Sequence, residues 1–271
     1  MKTHFIYILL IITGLSACKE QKKEKTVVET PKIIPTVIPP ELHGTWIKSA
    51  YVEDLMNTKS PLKSFKMLNG IALFSFDTAH LEDSVLRGGI SWNGHEGGAC
   101  IATFKSGKTP RSILIDVEGD TVKTPRELVL ANNELLLMSY PSNGSAIAEK
   151  YVRVSEKSTN IDTALGNPAR RILFSGKWRW KESKKDTKKD TTYRVELSEE
   201  GLIKGLSSYT KYDVVADYGA EPLAYDQVLL YGDKVKKPRV LQFKCLGDTL
   251  KLTERIKKKD VPVFQLVKVK E

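Results

Sequence analysis

The chain has 271 residues, 41% hydrophobic and 28% charged, with a formal net charge of +10; that balance can bury a core and is wrong for a disordered tail. Four histidines and three cysteines come with no CxxC or Cys/His spacing, and there is no phosphate loop, Gly-x-Ser-x-Gly or HExxH. No catalytic residue, metal or cofactor is therefore expected.

In chain order, Met1-Lys2 gives a positive start and Phe5 to Ala17 an apolar run, too short for a bilayer core that needs about 20 residues. Residues 1–17 therefore read as a secretion signal peptide. Its end, Leu15-Ser16-Ala17-Cys18, resembles the lipobox of bacterial lipoproteins. That resemblance implies that Cys18 is acylated, for instance with palmitate, and becomes the mature N-terminus, anchoring the chain at a membrane. Residues 18–41 are charged and proline-rich without helical period, and read as a flexible tether.

From residue 42 the sequence repeats itself. "HGTWIKS" (43–49) returns as "SGKWRWK" (175–181), and "NNELLLM…EKYVRV" (132–154) as "GDTLKLT…FQLVKV" (247–269). Between these landmarks the pattern is period two, bounded by turn residues. Strands are expected near 44, 71, 85, 99, 111, 126, 134 and 149, then near 174, 191, 201, 212, 226, 239, 248 and 261. Eight strands per copy can close into a barrel. The expected fold is all-β: two consecutive eight-stranded antiparallel up-and-down barrels, residues 42–154 and 173–271, joined by a polar linker, residues 155–172. Gly44-x-Trp46 and Gly176-x-Trp178, each on the first strand of a meander, are similar to the lipocalin and wider calycin pattern. The resemblance implies a Trp at the closed barrel end with a basic side chain from near the last strand across its ring; Arg153 and Lys268 hold that position. Many lipoproteins of the Bacteroidota look similar.

The copies differ in two ways. After its first strand, the first carries "AYVEDLMNTKSPLKSFKMLNG" (50–70), where Ser60 can cap a helix beginning at Pro61 and Asn69-Gly70 can end it. A helical pair at this place resembles the lid of fatty-acid-binding proteins, with Leu55, Leu62, Phe65 and Leu68 inward. Tyr51, Phe65 and Trp92 are the ligand-contacting candidates here, and His95-Glu96 falls on the same rim. In the second copy, alternate connections share one end: 181–190, 208–211, 231–238 and 254–260 together carry +7. Such a basic mouth gathers anions, with Lys236, Lys237, Lys257 and Lys258 as candidates. "DTAHLED" (77–83) reads as a polar turn. Cys100 and Cys245 sit in apolar strand-like stretches and are expected as two buried thiols rather than a bridge.

These readings converge on an outer-membrane lipoprotein that binds a small apolar, amphipathic or anionic ligand without catalysis. Nucleic acid is excluded as a partner by location and by the lack of interleaved aromatics among these lysines. A scaffold or accessory subunit with filled barrels, meeting another envelope protein, is the alternative; a glycan or lipid hydrolase ranks below both.

Overall fold

The computed structural model describes residues 40–82, 85–103, 107–109, 112–118, 120, 123–132, 134–155, 160–180, 194–206, 208–219, 223–232 and 237–270. Residues 1–39, which include Cys18 and nearly all of the expected signal and tether, and Lys236 lie outside the described residues. All of the described residues belong to one compact unit.

Among the described residues, eight strands close a ring: β1 (Gly44–Lys48), β2 (Ile71–Glu82), β3 (Val85–Trp92), β4 (Glu96–Thr103), β5 (Ile113–Val117), β6 (Arg126–Ala131), β7 (Glu134–Ser139) and β8 (Ile147–Ser155). Each is antiparallel to the next, and β8 returns to β1. Closure removes the sheet edges. Inward residues, among them Phe74, Phe76, Ile90, Cys100, Ile115, Leu137 and Tyr151, make one buried cluster. Phe74 stacks on Phe76 at 5.8 Å and meets Tyr151 edge-on at 5.0 Å. The lumen is packed with side chains, as the radius of eight strands permits.

β1 breaks the alternation, because all five of its residues are buried. Its outer face is covered by the segment that follows: α1 (Ser49–Thr58), α2 (Pro61–Ser64) and a 3-10 turn over Phe65–Leu68. Ser60 caps α2, its hydroxyl accepting the Lys63 amide at 3.2 Å with Pro61 in the first turn.

The second copy forms β9 (Gly176–Trp180), β10 (Arg194–Leu197), β11 (Ile203–Lys204), β12 (Lys211–Val214), β13 (Gln227–Tyr231), β14 (Arg239–Leu246), β15 (Thr249–Ile256) and β16 (Lys259–Lys268). Here the expectation of a second closed barrel is corrected. Among the described residues the sheet runs β11-β10-β9-β16-β15-β14-β13-β12 and does not close as a ladder. Its end strands meet at one bridge, Leu202–Lys211, supported by the Tyr212 amide donating to the Gly201 carbonyl at 2.7 Å. The reason is length: β11 offers two residues, too few to build a ladder on both sides.

The Gly-x-Trp repeat is a repeat of geometry. Gly44 and Gly176 take φ of 110° and 130°, a region that side chains with a Cβ rarely enter. Each following Trp is buried and its indole N–H donates four residues back, Trp46 to Leu42 at 3.0 Å and Trp178 to Phe174 at 2.7 Å. Arg153 sits 4.5 Å from the Trp46 ring centre and Lys268 5.5 Å from that of Trp178, within cation–π range.

Residues 155–172 do more than connect. They hold α3 (Ile161–Ala164) and α4 (Gly166–Ala169), and a π-turn over Arg170–Phe174 follows. Ala164, Leu165, Ala169, Leu173 and Phe174 enter a cluster that also contains Tyr51, Leu55 and Trp178. Arg170 is buried, pairing with Asp213 and Asn167 and donating to the Glu199 carbonyl at 3.0 Å.

Cys100 and Cys245 are free, the first buried and the second half-buried. Burial pushes both thiols up to about 12, which keeps them protonated and unreactive at neutral pH.

Glu127 is a buried carboxylate on β6 that accepts the Lys108 amide and, at 3.0 Å, the Thr109 amide. Burial alone would raise its pKa; the hydrogen bonds outweigh that and hold it below the ordinary glutamate value. A depressed folded-state pKa stabilises above the unfolded value and is lost as pH falls through the folded one. Glu127→Gln is therefore expected to cost about 2 kcal/mol at pH 7, and the gap from wild type should close below about pH 4. Urea unfolding across that range checks it; a gap that persists at low pH would assign the cost to shape rather than charge.

Candidate functional site

The end of the barrel opposite Trp46 gathers the connections after β1, β3, β5 and β7. The β3–β4 turn is Asn93-Gly94-His95, with Asn93 and Gly94 at φ of 50° and 78° and the His95 amide donating to the Trp92 carbonyl at 3.1 Å. Asn-Gly is the pair that such a turn selects. Gly94 is also required by proximity: a Cβ there would lie 2.8 Å from the Phe65 ring and 2.9 Å from Leu68. Asn93 fastens the turn to the end of the helical segment, its amide donating to the Gly70 carbonyl and its side-chain oxygen accepting the Gly70 amide, both at 2.8 Å.

Beside this turn lies a pocket of about 560 Å³, lined by Trp92, Asn93, Glu96, Gly97, Gly98, Glu118 and Asp120. Trp92 and Glu96 are cross-strand partners, which puts both on the barrel's inward face at its rim. Cys100 pairs with Val117, so the chain leaving β5 brings Glu118 and, two residues later, Asp120 to the same level. Asp120 is paired with Arg126 of β6, whose guanidinium carbon is 6.0 Å from the Trp92 ring centre. The lining thus combines an indole face, the carboxylates of Glu96, 3.4 Å from His95 Nε2, and of Glu118, and glycines that leave the β4 backbone open. Beyond Gly97 a Cβ would meet nothing within 4 Å.

Chemically, an indole face holds an apolar or aliphatic surface, and carboxylates accept hydrogen bonds from hydroxyl or ammonium groups. Among the described residues, no three His, Cys, Asp or Glu side chains converge as metal ligands. Compared with known proteins, the chain matches no family model, no curated protein and no solved structure.

Of the residues singled out from sequence, Trp92 and Glu96 line the pocket. Tyr51 and Phe65 do not. Tyr51 is fully buried in the cluster between α1 and the second sheet; burial and then the Asp226 charge push its phenol well above the ordinary range. Phe65 meets Tyr218 edge-on at 5.6 Å. His95 lies at the pocket's edge, its Nε2 3.4 Å from Glu96 Oε1 and its ring also against Gly219, where a Cβ would fall 2.2 Å from it. His43 Nδ1 accepts the Thr78 amide at 3.2 Å, with Asp77 at 3.5 Å. Lys237, Lys257 and Lys258 are exposed on the second sheet.

The helical segment is therefore no free lid. Its far side is held by the second copy: Asp226 accepts from the Ser60 hydroxyl at 2.6 Å, from the Leu62 amide at 2.8 Å and from the Tyr218 hydroxyl at 3.3 Å. Met56, on α1, is 47% exposed. Arg126, Glu118 and Asp120 were not expected at the site; the signal was the acidic "VEGD" (117–120) directly after a strand on the rim of Trp92.

Proposed function

We propose that this chain is a lipoprotein of the outer membrane, anchored through acylated Cys18, whose calycin-like barrel binds a small amphipathic ligand without catalysis. The observation that carries this reading is the rim pocket walled by Trp92 beside Glu96 and Glu118. Its volume suits a small molecule. Because the lumen is packed, the ligand sits at the rim rather than inside the barrel. The lining favours an apolar body with a hydrogen-bond-donating end, hydroxyl or ammonium, over a carboxylate, which Glu96 and Glu118 would repel.

A thermal-shift comparison of hexylammonium, hexyl glucoside and hexanoate, each at a concentration below micelle formation, tests the preference. At a hundred times Kd a ligand stabilises by about 2.7 kcal/mol. The first two should raise Tm and lose that effect in Trp92→Ala; hexanoate raising Tm equally, or an unchanged response in the variant, would reject the pocket. The packed lumen also favours a second reading, a scaffold whose surface meets another envelope protein.

A further inference from the structure

β15 and β16 form a hairpin that outruns its neighbours. β14 pairs with β15 over 249–253 and β9 with β16 over 266–268, whereas the hairpin's own pairing continues to Ile256–Lys259. Its two-residue turn is Lys257-Lys258, at φ of 49° and 67°. Turns of this left-handed kind normally take Asn and Gly, so two lysines there accept backbone strain and set both ammonium groups at the tip.

On β15, Leu252, Glu254 and Ile256 share a face, and across a bulge in β16 their partners are Phe264, Val261 and Lys259. Low on this face Phe264 meets Trp180 edge-on at 5.1 Å, and Arg239 pairs with Glu254 at 2.7 Å. At the tip Ile256 is 47% and Val261 41% exposed, flanked by exposed Lys257, Lys258 and Lys259. Bare β-branched side chains set among long cations fit a partner with negative charge over a nonpolar layer. Ammonium groups on flexible stems find phosphates without a shaped counterpart while the stems lie along apolar surface.

We propose that this hairpin tip docks on anionic phospholipid bilayer, with Lys257, Lys258 and Lys259 at the headgroup phosphates and Ile256 and Val261 in the interfacial layer. The proposal depends on neither the rim pocket nor Cys18. The test uses the self-contained unit from Ile34 onward, which lacks both leader and Cys18. It is sedimented with vesicles of phosphatidylcholine alone, or of phosphatidylcholine with a third phosphatidylglycerol. Wild type should partition onto the anionic vesicles and weaken with salt. Replacing the three lysines by glutamine should lower partitioning by on the order of a hundredfold, about fivefold for each. Ile256→Ser with Val261→Ser should lower it by roughly tenfold, with Tm unchanged in both variants. Equal partitioning onto both vesicles, or wild-type partitioning in either variant, overturns the proposal.

Discussion

Replacing Asp226 with alanine is expected to destabilise the protein by about 2–4 kcal/mol, more than an ordinary surface carboxylate. One side chain holds three groups from two parts of the fold: the Ser60 hydroxyl, the Leu62 amide and the Tyr218 hydroxyl. Hydrogen bonds to an ionised acceptor are the stronger kind, and alanine leaves the Leu62 amide facing the interface unpaired. Asn should recover part of the loss, since it can still accept one bond. Urea unfolding with an unchanged m-value is the measurement. A loss under about 0.5 kcal/mol would mean that α2 is not held by the second copy.

The second large effect is expected at the paired indoles. Trp46→Ala and Trp178→Ala should each cost about 3–5 kcal/mol, because each empties a core site and strands a buried carbonyl. The two costs should be similar, since Trp46 and Trp178 make the same four-residue bond and lie under the same kind of cation. Arg153→Met and Lys268→Met should cost about 1 kcal/mol or less. If Trp46 proved costly and Trp178 nearly neutral, the two indoles would not be equivalent.

Those indoles were also what made the fold legible. A doubled Gly-x-Trp with matched endings marks one unit built twice, and strict alternation, as in Arg194–Leu197 with Val195 and Leu197 buried, fixes which face is the core. What periodicity could not report is pairing between distant segments. β11 has only two residues, Ile203 buried and Lys204 exposed, and that shortness leaves the ring open. Ser60 and Pro61 announce a helix start, but the carboxylate that completes it lies 166 residues away. For the same reason Tyr51 and Phe65 read as lid residues facing a ligand, when Asp226 and Tyr218 cover that side. The pocket was half legible: Trp92 and Glu96 adjoin one turn, whereas Glu118 and Asp120 reach it only through the register of β4 on β5.

Native mass spectrometry of the protein purified from its own host, beside Trp92→Ala prepared identically, most directly tests whether the barrel rim holds a small molecule. The wild type should carry a discrete small-molecule adduct beyond its covalent mass, and the variant should lose it. A wild-type spectrum explained entirely by covalent mass, or an adduct that survives the loss of the indole, would contradict the account.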